Sequence, residues 1–236
     1  TKNHLIVAHE VTNDGLDRDQ LSTMGKQARK AMKLDFLTAI ADRGYFKSEE
    51  ILACHKAGIV PLVPKSATSG AKADGRFDRA YFGYDRENDE YVCPAGERLI
   101  WRFARVERGL MMNRYWSSSC PRCPIKSQCT PSDYRRVSRW AHEEELEVMQ
   151  ARLDKAPDSM RIRRRTVEHP FGTLKAWMGA THFLTKGLER VRTEMSLHVL
   201  AYNLKRVMKL MGNEALMTAM VLKSGVKRPS SHINSR

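Results

Sequence analysis

Apolar residues set the rhythm of the first third of the chain. Leu5, Ile6, Val7 and Val11 are β-favouring, and Asn13-Asp14-Gly15 supplies a turn, so the opening predicts a strand. From Asp19 to Leu34 the repeat lengthens to helical spacing, with Leu21, Met24, Ala28, Ala31 and Met32 on one side. A short apolar run from Phe36 to Ala41 predicts a second strand, delivering Asp42 at its tip ahead of Arg43-Gly44-Tyr45. Ser48 is placed to cap a helix that starts at Glu49 and stops at Gly58, and Ile59 to Val63 predicts a third strand. Strand, helix and strand in so short a span form a βαβ unit with parallel strands, so the fold class is α/β.

The pattern then changes. Ser66 to Gly75 is polar, and short β-like pieces follow at Tyr81-Phe82 and Tyr91-Val92. From Ser138 onward the spacing is helical: Trp140 to Leu153, then Ser159 to Met178, then Leu188 to Met211. In the third helix Leu188, Val191, Met195, Leu200, Leu204, Val207 and Met211 recur as a broad apolar face, expected to be buried. A basic tail with Lys223, Lys227, Arg228 and Pro229 closes the chain and is expected to fray. The segments expected are therefore 1–65, 66–137, 138–212 and 213–236.

Composition narrows the partners. The 236 residues carry 41 Lys+Arg against 27 Asp+Glu, a formal net charge of +14. A soluble protein this basic attracts polyanions, nucleic acid first among them. An apolar fraction of 42% excludes global disorder and collagen-like repetition. No run approaches the length of a membrane span and no secretory signal is present, so a cytoplasmic location is expected. The chain opens on Thr1, which is expected of a trimmed start or of the later part of a longer polypeptide.

Two acids stand where chemistry can be built. Asp42 ends a buried-type strand, the position at which α/β sheets assemble sites. Glu168 lies among Arg161, Arg163, Arg164, Arg165 and Lys175. Two carboxylates converging beside a basic strip suit Mg²⁺ or Mn²⁺ and phosphoryl transfer, with the cations gripping a phosphodiester backbone. The plainer reading is that each acid is an ion-pair partner. Cys93, Cys120, Cys123 and Cys129 cluster with Pro94 and Gly96 nearby, a set that suits structural Zn²⁺, reduced structural thiols or disulfide chemistry. Cys54 stands apart on a predicted helix as a small buried hydrophobe. Trp101, Trp116 and Trp140 are expected in the core, the other use of such rings being to stack on unpaired bases. The histidines show no ligand spacing, and no glycine-rich phosphate loop is present.

These residues resemble the DDE transposases of bacterial insertion sequences, in particular the subgroup with a cysteine-containing insertion between the second and third acids. Asp42-Arg43-Gly44-Tyr45 matches the Asp-x-Gly-Tyr around the second acid. Arg164, Glu168 and Lys175 match the Arg, Glu and Lys of Tyr-x2-Arg-x3-Glu-x6-Lys, while Arg161 stands where the family has Tyr. The likeness runs from about His4 to Gly212. It implies a ribonuclease-H-like core, partial here, with 1–65 carrying the second acid, 66–137 as the insertion and 138–212 supplying the third acid. It implies metal-dependent strand cleavage and transfer on double-stranded DNA by a homo-oligomer at the nucleoid. Asp42 and Glu168 would be metal ligands, and Arg164 and Lys175 would position them and the DNA. The first Asp is expected upstream of Thr1, since Asp14, Asp17 and Asp19 do not lie within the opening strand. Such a chain is expected to be inactive alone. The competing readings are a non-catalytic zinc-knuckle DNA-binding module and a fragment that inhibits intact transposase.

Overall fold

The computed structural model describes residues 3–65 and 70–224. The chain divides into two compact units, one from Thr1–Val63 with Arg152–Arg236 and one from Pro64–Ala151.

The first unit is built on a short parallel pair. Strands β1 (Leu37–Ile40) and β2 (Ile59–Leu62) run side by side with Leu37 opposite Ile59 and Ile40 opposite Leu62. The chain crosses between them through α2 (Ser48–Lys56), which forms the expected βαβ unit. Helix α1 (Leu21–Met32) turns Leu21, Ser22 and Gly25 inward, and α2 turns in Ile51 and Cys54. Gly25 is small because Ile59 is close: a Cβ there would stand 2.9 Å from the Ile59 Cδ1. Gln20 offers α1 no side-chain cap, so the Glu50 carboxylate of α2 accepts from the Ser22 amide at 2.8 Å. That bond satisfies one of the orphan N–H groups at the helix start and ties the two helices together. Ser48 does not cap α2; it is the first helical residue, behind an extended Lys47.

The expected opening strand is not a strand. Residues 4–11 have no ladder partner, and their backbone is held by side chains of α6 (Leu188–Met211) instead. Ile6 N–H donates to Asn203 Oδ1 at 3.0 Å, and Asn203 Nδ2 donates to the Ile6 carbonyl at 2.7 Å. Tyr202 donates to the His4 carbonyl at 2.6 Å and Arg192 to that of Val11 at 3.0 Å. A side-chain amide presents the same donor and acceptor as a peptide group, so Asn203 replaces one rung of a sheet.

The apolar face expected on α6 is also not buried. Val199 and Tyr202 are its buried residues, whereas Leu200 is 63% exposed and Leu204 and Met211 are exposed as well. The buried side is the one that meets the opening segment through Tyr202 and Asn203, which lies off the expected stripe. After Gly212, residues Asn213–Ser224 form a further helix, while 225–236, with Lys227, Arg228 and Pro229 of the segment expected to fray, lie outside the described residues. Residues 66–69 of the expected polar loop do so too.

The second unit is a five-stranded antiparallel meander after a single helical turn α3 (Gly70–Ala73). Its strands are β3 (Gly83–Asp85), β4 (Glu90–Val92), β5 (Arg98–Glu107), β6 (Leu110–Trp116) and β7 (Val137–Trp140), paired in that order. The long β5–β6 hairpin turns at Arg108-Gly109, both with positive φ, as a two-residue hairpin loop requires. Phe82, Tyr91, Leu99, Tyr115 and Val137 form the core on one face of the sheet, and Phe77, Tyr84, Cys93 and Cys129 pack against it. Residues 137–140, expected to open a helix, form β7 because Met112 to Tyr115 offer a free strand edge. Helix α4 (Glu143–Asp154) follows. Among the described residues no helix is long and apolar enough to cross a membrane.

Candidate functional site

Asp42 follows β1 as expected and caps the short turn Arg43–Tyr45. One carboxylate oxygen, Oδ1, accepts from the Gly44 amide at 2.9 Å. The other, Oδ2, accepts from Arg163 Nη2 at 2.5 Å. Gly44 has a physical reason here: a Cβ on it would lie 3.0 Å from that Oδ1. The nearby Tyr45 hydroxyl is pushed up, first by burial and then by Asp17 and Asp42.

Glu168 lies on the same helix as Arg163, α5 (Ser159–Gly172), but on a different side. Five residues of α-helix turn through about 140°, so the face that gives Arg163 to Asp42 does not give it Glu168. The partner of Glu168 is Arg164, whose Nε stands 4.0 Å away, and both side chains are mostly in water. Each of the two acids expected to bind metal has an arginine partner of its own, Arg163 for Asp42 and Arg164 for Glu168. Among the described residues no group of three His, Cys, Asp or Glu side chains is arranged to hold a metal ion. Neither Asp42 nor Glu168 belongs to such a group of three.

The remaining predicted cations divide by partner. Arg163, read in the sequence as a DNA contact, is the Asp42 partner, and Arg161 pairs with Asp158 at 2.9 Å. Arg164 and Arg165 are exposed on α5. The helix runs through Pro170 and then widens into a π-turn, Thr173–Trp177, which carries the exposed Lys175. Proline lacks an N–H, so Pro170 leaves the Thr166 carbonyl without its helical donor, while the wider turn at Thr173–Trp177 is closed by Met178 N–H on the Thr173 carbonyl at 3.0 Å.

Glu168 opens instead onto a cavity of about 440 Å³ that the sequence did not disclose. His169, Thr173 and Trp177 line one wall and Tyr202, Lys205, Arg206 and Lys209 of α6 the other. Trp177 is 82% exposed, a large flat ring left in water at the rim. His169 is held below the usual histidine range by desolvation, then by His4, Arg206 and Lys209. Its ring stacks at 4.9 Å on that of His4 and touches the Tyr202 hydroxyl at 3.3 Å. Lys205, Arg206 and Lys209 face a single carboxylate, Glu168, so the lining is net basic. The α6 lysines escaped notice because the wall they form exists only once α6 lies beside α5.

In the second unit, Cys93, Cys120, Cys123 and Cys129 all line one small apolar cavity of about 30 Å³. All four are free thiols. Cys93 opens a turn closed by Gly96 N–H to its carbonyl at 2.9 Å, and Cys120 to Arg122 form one 3-10 turn. Cys129 is pushed up chiefly by burial, with Cys120, Cys93 and Cys123 adding to it. Four sulfurs around one space have the donor chemistry for Zn²⁺, although they share a pocket without standing at ligand geometry. Cys54 is separate and fully buried between α1 and β2, as expected.

Residues 92–208 match the family model described as the transposase DDE domain. The matched span contains Arg164, Glu168, Lys175 and the four clustered cysteines and leaves Asp42 outside. No match is found among curated proteins or among solved structures.

Proposed function

We propose that this protein is a transposase of the DDE type acting on double-stranded DNA, and that its first unit grips the phosphodiester backbone. The observation that carries the reading is the transposase DDE domain match over 92–208, the span that includes Glu168 and most of the basic cavity. Lys205, Arg206 and Lys209 would hold phosphate oxygens, and the exposed Arg164, Arg165 and Lys175 would continue the track along α5.

In this reading the reaction is phosphoryl transfer in two displacements. Water attacks phosphorus at an element end, and the 3′ oxygen leaves as a hydroxyl. That 3′ hydroxyl then attacks a phosphodiester of target DNA, joining to its phosphorus while the target strand's own 3′ oxygen leaves as a hydroxyl. Asp42 and Glu168 are the carboxylates assigned to this chemistry, in a ribonuclease-H-like core of the bacterial insertion-sequence kind, working as a homo-oligomer on DNA. When bound, a divalent ion at these carboxylates would supply charge stabilisation for the displacement. The Asp42–Arg163 pair favours a second reading of the chain as it stands, a DNA-binding module without strand cleavage. The cysteine pocket is read as the place for a structural Zn²⁺, supported by the four thiols that share it.

The test is duplex DNA binding against salt, followed by cleavage of end-sequence DNA with Mn²⁺. Each phosphate contact contributes a salt slope of about 0.9, so K205A/K209A should flatten it by about 2. Cleavage lost in Asp42→Ala and Glu168→Ala supports the transposase reading. Duplex binding with no cleavage supports the binding module. Failure to bind duplex at low salt overturns both. One zinc per chain, lost in Cys123→Ser, is the corresponding result for the thiol pocket.

A further inference from the structure

One face of the five-stranded sheet is closed by its core; on the other, Trp140 and Glu90 are buried at the margins, but the stretch of β5 around Ile100 and Phe103 is exposed. Cross-strand pairing puts Phe103 opposite Arg114, Ile100 opposite Trp116 and Arg105 opposite Met112, all on the face away from Tyr115, Leu99 and Val137. A sheet with one face in water normally shows polar residues there. Here it shows aromatic rings set among guanidinium groups. Phe103 is 40% exposed and meets the edge of Trp116 at 5.9 Å. Arg102 lies over the Trp116 ring at 5.3 Å and Arg136 at 5.8 Å, with Tyr134 beyond at 6.4 Å.

The bulge in β5 makes this arrangement. Pairing slips between Trp101 and Phe103, leaving Arg102 as the extra residue. Its Nε donates to the Trp116 carbonyl at 3.2 Å and its Nη2 to Ser118 at 3.0 Å, which fixes the guanidinium against the indole. Phe103, Arg105, Arg114, Trp116 and Arg136 then surround an open hollow of about 260 Å³. The carboxylate of Glu107 is taken up by Arg105 and Arg114, which offsets those two guanidiniums and leaves Arg102 and Arg136 outside the pairing.

We propose that this face is a platform for single-stranded DNA, with unpaired bases stacking on Phe103 and Trp116 and the intervening phosphates held by Arg102 and Arg136. Planar rings flanked by cations recognise an alternation of flat bases and anionic linkers, and only an unpaired strand offers both at once. Paired bases present their edges and not their faces, so duplex DNA is not the ligand of this surface. The choice of DNA over RNA rests on the proposed function; the geometry of the face does not.

The experiment titrates the full chain into fluorescently labelled oligo(dT), oligo(U) and duplex DNA, following anisotropy. Phe103→Ala should weaken oligo(dT) binding roughly 5- to 150-fold, the range set by one lost stacked base, and leave duplex binding unchanged. Phe103→Leu keeps the apolar bulk without the ring and should lose as much. Arg136→Ala should reduce the salt slope on oligo(dT) by about 0.7. Near-ultraviolet circular dichroism checks that each variant keeps its fold. Unchanged oligo(dT) binding in Phe103→Ala and Arg136→Ala overturns the inference, and persisting duplex binding would then leave the proposed function standing. Tighter binding of oligo(U) than of oligo(dT), lost in Phe103→Ala, makes the ligand RNA and also overturns it. Loss of every DNA interaction sinks both.

Discussion

Arg163 closes on Asp42 across 121 positions of sequence, its Nη2 lying 2.5 Å from the outer carboxylate oxygen. The pair joins α5 to the end of β1 and leaves Asp42 with a cation already in place. Arg163 is about one-quarter exposed and Asp42 nearly half, so water screens the pair and its net worth is at most about 1 kcal/mol.

Arg163→Met should therefore lower stability only slightly while baring Asp42. Mn²⁺ affinity, followed by the paramagnetic broadening of resonances near Asp42, should rise in Arg163→Met and return to the starting level in Arg163→Met/Asp42→Asn. Equal affinity in all three proteins would mean that Arg163 does not govern access to the carboxylate.

The five cysteines should separate into two kinds. Burial pushes the Cys54 thiol up to about 12, and with no exposed surface it should stay inert to a disulfide reagent near neutral pH. The four at the second unit's pocket are partly exposed and should react in the native, metal-free protein, with Cys54 appearing only on unfolding. A fifth thiol reacting as fast as the others would contradict the placement of α2.

Gly58 ends α2 with φ +67°, donates to the His55 carbonyl at 3.1 Å and accepts from Leu37 N–H at 3.3 Å. A Cβ there would meet the Asp35 carbonyl at 3.2 Å as well as requiring a left-handed backbone. Gly58→Ala should cost about 1–2 kcal/mol, read as a lowered urea midpoint with an unchanged slope.

His169 carries a pH dependence with a definite sign. Its folded pKa lies below the unfolded value of about 6.5, so the folded state binds fewer protons and stability falls as the solution is acidified through that range. Protonation would add charge beside His4, Arg206 and Lys209, where the opening segment docks. The protection factor of the Ile6 amide, its exchange rate corrected for the intrinsic pH dependence, should fall as the pH is lowered from about 7.5 to about 5.5, and His169→Gln should remove most of that fall. A variant as pH-sensitive as the parent would place the effect elsewhere.

What could be read from the sequence was what neighbours in sequence decide. The βαβ unit was legible because Phe36–Ala41, the helix after Ser48 and Ile59–Val63 each carry their own period. The cysteine pocket was legible because three of its four members lie within ten residues. The β5–β6 hairpin was not, since its turn is Arg108-Gly109 and its strands mix arginines with rings on an open face. The opening strand misled for a different reason: Leu5, Ile6 and Val7 are extended as their type prefers, but strand identity needs a ladder, and the partner here is a helix. The orientation of Asp42 relative to Glu168 was equally hidden, because spacing along α5 places Glu168 with Arg164 and says nothing of which side meets β1.

The reciprocal bonds between Ile6 and Asn203 also set an order of events during synthesis. The first unit joins Thr1–Val63 to Arg152–Arg236, so the opening segment gains its bonds to Asn203 only after α6 has left the ribosome. Pro64 to Ala151 emerge in between and bond among neighbouring strands, so the sheet can finish folding while the first unit is still half made. The α6 contacts of residues 4 and 6 are thus among the last that the first unit makes, completed when Tyr202 and Asn203 arrive.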